Sequence, residues 1–96
     1  MSAIRVLVGS TVEPENLAEV IDLYRELVRE TRKENGCISY ELLRCGDNSG
    51  ELMLVEEWES QAHLDAHTHT EHFVRLVAAL DNLEKAVPAQ IYSKVL

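Results

Sequence analysis

Two stretches of this chain are apolar on both parities of a strand, and that limits the folds open to it. Residues 51–59 (ELMLVEEWE) set Leu52 and Leu54 on one parity and Met53 and Val55 on the other. Residues 37–45 (CISYELLRC) set Ile38, Tyr40 and Leu42 against Cys37 and Leu43. Side chains alternate across a strand, so apolar residues on both parities require cover on both faces of the sheet. The segment between them, Gly46-Asp47-Asn48-Ser49-Gly50, has the turn formers of a hairpin. A double-sided antiparallel sheet follows.

The flanking segments supply the remaining elements. Residues 3–13 (AIRVLVGSTVE) alternate, with Ile4, Val6, Val8 and Val12 on one parity, and read as a strand. Pro14 suits the first turn of a helix. Leu17, Val20, Ile21, Tyr24, Leu27, Val28 and Thr31 then recur at three- and four-residue steps, and Asn35-Gly36 is the expected stop. Ser60 can cap a short helix through His67. Thr68 or Thr70 can cap another, with Phe73, Leu76, Val77 and Leu80 as its apolar stripe; Thr68-x-x-Glu71 has the form of a capping box. Residues 89–96 (AQIYSKVL), after Pro88, read as a last strand. The order β-α-β-β-α-β is the split, ferredoxin-like α+β arrangement, a four-stranded antiparallel sheet with helices on one face.

Helices from one subunit cover only one face. The second face is expected to pack on a second copy, because two-fold dimers are the commonest oligomers, burying about 1,600 Å² in total. Ninety-six residues make a single domain, 1–96. Seventeen acids against nine bases give a formal charge of −8 with no Lys/Arg cluster, which argues against nucleic acid and anionic membrane surfaces as partners. No apolar run approaches the roughly 18 residues of a membrane span, and the segment from Met1 lacks a secretory pattern, so a cytoplasmic location is expected. Cys37 and Cys45, eight residues apart on one strand, would stand roughly 26 Å apart at about 3.3 Å per residue, far beyond disulfide reach. They read as free thiols of a reducing compartment, Cys37 as a small buried residue rather than a nucleophile.

Residues 56–73 (EEWESQAHLDAHTHTEHF) concentrate the groups able to do chemistry. Glu56 and Trp58 share a parity with Leu54. A carboxylate among such neighbours is either a partly buried acid with a raised pKa, fit for proton transfer near neutrality, or the partner of an arginine such as Arg5 or Arg44. Trp58, the sole tryptophan, is a core anchor or the wall of a pocket for a planar ligand. His67 lies three residues after Leu64 on the inward side of its helix, as a structural histidine or a general acid/base. His63, four residues before His67, is its expected neighbour. That spacing can hold a metal, but no H-E-x-x-H motif accompanies it and no metal is expected. His69 and His72 fall at a turn and are expected to be solvated. Tyr24 and Tyr40 are core phenols or pocket phenols. No Gly-rich phosphate loop, nucleophile elbow or dinucleotide fingerprint is present.

Gly36-Cys37-Ile38-Ser39-Tyr40-Glu41-Leu42, then Glu56-x-Trp58-x-Ser60, then His67 with Thr70-Glu71-His72-Phe73, resembles the antibiotic biosynthesis monooxygenase family in order and spacing, over nearly the whole chain. The resemblance implies a dimeric α+β barrel with a pocket between helices and sheet in each subunit. It also implies oxidation of phenols or quinols by O2 without flavin, haem or metal, with His67 or Glu56 as base and Trp58, Tyr40, Tyr24 and His63 about the substrate. The haem-degrading branch fits poorly: it carries Trp where His67 stands, His where Val77 stands, and an Asn on the first strand, which this chain lacks. Other members of the fold isomerise small phosphorylated sugar-derived signals, and a non-catalytic small-molecule-binding stress protein is a third reading.

Overall fold

A computed structural model describes residues 3–46 and 49–96; Asp47 and Asn48 of the hairpin loop, and Met1 and Ser2, lie outside the described residues. The chain runs β1 (Ile4–Val12), a 3-10 turn (Pro14–Asn16), α1 (Leu17–Thr31), β2 (Cys37–Arg44), β3 (Glu51–Trp58), α2 (Gln61–His67), α3 (Glu71–Asp81), β4 (Glu84–Ala86) and β5 (Gln90–Ser93). This is the expected ferredoxin-like α+β arrangement, with antiparallel order β2-β3-β1-β4 and β5 also on β1.

The last edge differs from expectation. In place of one strand over 89–96, two short strands share the free edge of β1: β4 pairs with Ser10–Val12 and β5 with Ile4–Leu7. Between them the Val87 amide donates to the Gly9 carbonyl, while Pro88, which has no N–H, separates the two.

Helix α1 buries Val20, Tyr24, Leu27 and Thr31, and α3 buries Leu76 and Leu80, both against one face of the sheet. Full burial of each aliphatic chain is worth about 1.5–3 kcal/mol. Helix α1 stops at Thr31, four residues short of Asn35, and turns occupy 32–36. Gly36 closes them at φ +84°, and a Cβ there would lie 2.2 Å from the His63 ring. Glycine is therefore what allows α2 to pack on this turn. Ser60 caps α2 through the His63 amide. Thr70, not Thr68, caps α3 by accepting from the Phe73 amide, so Thr68-x-x-Glu71 does not act as a capping box.

Inward on the sheet, Leu52, Leu54, Glu56 and Trp58 of β3 are all buried. One row crosses the sheet as Tyr40, Glu56, Val6 and Ile91, each paired to the next. A bulge between Cys37 and Ser39 corrects the parity of β2: Ile38 does not share Tyr40's face but turns outward, 49% exposed, while Cys37 packs against the core. The outward face also carries Leu43 and Met53 opposite one another, exposed at 50% and 39%.

Candidate active site

A cavity of about 350 Å³ lies between the helices and the inward face of the sheet. Its walls are largely aliphatic, from Val6, Leu27, Leu54, Leu64, Val77 and Leu80 among others, with Tyr24, Tyr40 and Phe73 as its aromatic members. Among the described residues lining it none is a lysine or an arginine, and the acids are Glu56, Asp65, Asp81 and Glu84.

Strand β3 aims Glu56 into this space. The carboxylate is buried and pairs with neither Arg5, which meets Glu57, nor any other cation described for it. Its Oε1 accepts the indole N–H of Trp58 at 2.8 Å. Burial pushes the Glu56 carboxyl up to about 7, against the indole bond that favours the charged form. Glu56 is thus divided between acid and base near neutrality.

His67, the last residue of α2, is 1% exposed and also lines the cavity. Its ring is clamped by Trp58 and Phe73, with centroids at 4.7 and 4.9 Å. Nδ1 lies 2.8 Å from Oε2 of Glu34, and Nε2 lies 3.4 Å from the Tyr40 hydroxyl. Burial holds the imidazole below its ordinary range, while the bond to Glu34 pulls the other way. At neutral pH the ring therefore carries one proton. A carboxylate only accepts, so that proton sits on Nδ1 and Nε2 presents its lone pair on the side of Tyr40.

A second polar pair stands on another part of the wall. The Tyr24 hydroxyl lies 3.0 and 2.9 Å from the two oxygens of Glu84 on β4. Burial raises both groups above their ordinary ranges. Burial also raises the Tyr40 phenol, which stays neutral as a donor, and pushes the Cys37 thiol up to about 11, which removes it as a nucleophile near neutrality.

Of the residues singled out in the sequence, Glu56, His67, Tyr40 and Tyr24 converge on the cavity, and two do not. Trp58 is not a wall: fully buried, it stands behind the cavity, where it holds the Glu56 carboxylate and stacks on His67. His63 is turned away, its Nδ1 2.8 Å from the Ser60 hydroxyl and its ring over Gly36. His72 is not solvated as expected; its side chain is 18% exposed and its Nε2 lies 2.6 Å from Glu34. Glu34, Glu84 and Phe73 are additions. Phe73 already stood in the apolar stripe of α3, whereas Glu34 and Glu84 carry no local signal.

A family model described as antibiotic biosynthesis monooxygenase matches residues 3–79. Rv0793 of Mycobacterium tuberculosis, which carries the name of a monooxygenase, is 30% identical over 82 residues, 85% of this chain and 80% of that protein. Its structure overlays with a TM-score of 0.83 at 27% identity, covering 99% of this chain and 95% of its own. YgiN of Escherichia coli (strain K12), named a probable quinol monooxygenase, is 33% identical over 61 residues, 55% of this chain and 59% of that protein. A conserved protein from Methanosarcina mazei Go1 overlays with a TM-score of 0.91 at 34% identity, covering 98% of this chain and 94% of its own.

Proposed function

This chain belongs to the antibiotic biosynthesis monooxygenase family, and from that premise we propose that it is a cofactor-independent monooxygenase oxidising a hydroxylated aromatic or quinol with O2. The observation that carries the reading is a buried imidazole, its pKa held down, and a buried carboxyl, its pKa pushed up, on the wall of one apolar cavity. Loss of a phenolic proton leaves an electron-rich anion able to reduce O2 itself, so the substrate is its own reductant. A quinol plus O2 then gives a hydroxyquinone plus water, with atoms and electrons balanced. The protein supplies a base, orientation and an enclosure that excludes bulk water.

His67 is the base, through Nε2. Glu34 acts behind it as a positioning residue, holding the proton on Nδ1 and stabilising the imidazolium that forms. Glu56, Tyr40, Tyr24 and Phe73 bind the ring and its hydroxyls. An isomerase of a phosphorylated sugar-derived signal is less well supported, because among the described residues no lysine or arginine lines the cavity to pair with a phosphate. The outward face leaves Leu43 and Met53 exposed, which supports its cover by a second copy in a homodimer. The free thiols fit a reducing cytoplasm, and no helix among the described residues is long and apolar enough to cross a membrane.

O2 uptake with a panel of quinols tests the reading. Uptake is expected, and His67→Ala should lower kcat by about 10²-fold or more. No uptake with any quinol, with oxygen-independent turnover of a phosphorylated keto-sugar, would hand the site to the isomerase. Binding without turnover of either class would make the chain a binding protein.

A further inference from the structure

We propose that Glu34, His67 and His72 form a site for a divalent cation of the zinc type, on the side of His67 that faces away from the cavity. The three side chains come from separate elements: the turn after α1, the end of α2 and the first turn of α3. Each offers one ligand atom, and all three atoms lie within 4.8 Å of one another. The group is shielded, with side-chain exposures of 13% for Glu34, 1% for His67 and 18% for His72. Two imidazoles and a carboxylate are a ligand set that zinc takes, with a fourth place left for water.

The geometry needs little change to load an ion. Glu34 Oε2 lies 2.8 Å from His67 Nδ1 and 2.6 Å from His72 Nε2, as hydrogen bonds. Around a tetrahedral ion with bonds of about 2.0–2.2 Å, ligand atoms stand roughly 3.4 Å apart. Opening the two Glu34 contacts to that spacing takes less than about 1 Å from a carboxylate on a turn, and the two imidazole nitrogens, which lie within 4.8 Å of one another, close by about 1.4 Å at most. His67 itself is already fixed between Trp58 and Phe73. Its other nitrogen lies 3.4 Å from the Tyr40 hydroxyl, an oxygen able to accept the N–H that a ligating histidine turns outward.

The cation does not enter the oxidation. With Nδ1 on the ion, the ring's remaining proton sits on Nε2, so an occupied site turns the lone pair facing Tyr40 into a donor. On the functional reading above, the cation silences the base. Binding itself is independent of that reading.

Untagged, chelator-treated protein titrated with ZnCl2, by calorimetry and by the emission of Trp58, tests the site. The sole tryptophan stacks on His67 and reports directly. One equivalent should bind saturably with a change in emission. Glu34→Gln and His72→Ala should each weaken binding at least tenfold, a loss of the order that even outer partners cause, and His69→Ala should leave it unchanged. His72→Gln, which keeps size and polarity, covers the case in which the alanine variant unfolds. Absence of saturable one-equivalent binding, or wild-type binding in folded Glu34 and His72 variants, overturns the proposal.

Discussion

Replacing Glu56 by Gln should make the protein more stable at alkaline pH and leave it nearly unchanged in acid. The carboxyl is 4% exposed, with Leu54 and Trp58 on its own strand face and Tyr40 and Val6 across the ladder. Its folded-state value of about 7 stands above the ordinary 4.5. Below about 4.5 the group is protonated in both folded and unfolded chains and costs nothing extra. Between about 4.5 and 7 the unfolded chain releases the proton while the folded chain keeps it, so stability falls as pH rises. At 1.36 kcal/mol per unit, the loss accumulates to about 3 kcal/mol by the time the folded group ionises. Gln keeps the shape and an oxygen for the indole N–H but cannot ionise.

Urea unfolding of wild type and Glu56→Gln, at one protein concentration and at pH values near 4 and 8, isolates this effect, because every other titrating group cancels in the difference. With a slope of about 1–3 kcal/mol per molar urea for a small domain, the variant's midpoint at the higher pH should exceed wild type by about 1–3 M. Near pH 4 the two midpoints should lie close together. A difference that does not change with pH would show that Glu56 titrates in the folded chain as it does in the unfolded one, and the buried proton-transfer group would be lost with it.

Three further outcomes are expected. Glu34→Gln removes the charge that holds the His67 pKa up, so the acid limb of kcat/KM should move to lower pH while kcat falls; an unmoved limb would remove Glu34 from its positioning role. Gly36→Ala forces a side chain into φ +84° and onto the His63 ring, and should cost more than about 1–2 kcal/mol in urea unfolding; adding His63→Ala should restore the steric part only, and full restoration would show that the backbone conformation carries no penalty. Met53→Asp puts a charge on the outward face opposite Leu43, and light scattering after size exclusion should report a dimer for wild type and a monomer for the variant; a dimer in both would place the interface elsewhere.

The parts of this structure legible from residues alone are those governed by local periodicity. The two-residue period of 51–59 puts Leu52, Leu54, Glu56 and Trp58 on one face, and the helical spacing from Leu64 puts His67 inward, as found. The same rule fails at Ile38, because a bulge costs one residue of register and no residue type there announces it. It fails again at Glu84, since a three-residue strand is too short to show a period. Glu34 is missed, and His72 misread, for a different reason. Their environment is made by contacts across 33 and 38 residues, which no window over the chain contains.

Glu56 and His67 on the cavity wall are each held by a group outside it, the Glu56 carboxylate by the Trp58 indole and the His67 imidazole by Glu34. Neither holder need touch a substrate to matter. The indole N–H favours an ionised Glu56 and restrains the upward push of burial. Glu34 favours a charged His67 and restrains the downward push. Each restraint moves its group toward neutrality, where one side chain can both take and return a proton. Trp58 stacks on His67 as well as bonding Glu56, so one buried ring fixes the orientation of both. A substitution at Trp58 should therefore shift both pKa values and loosen both side chains together. Its Phe variant separates the effects: it keeps an aromatic face for His67 but deletes the donor to Glu56, and should raise the carboxyl further while leaving the imidazole near its wild-type value. NMR titration of both groups checks this, and equal displacement of the two would refute the division of roles.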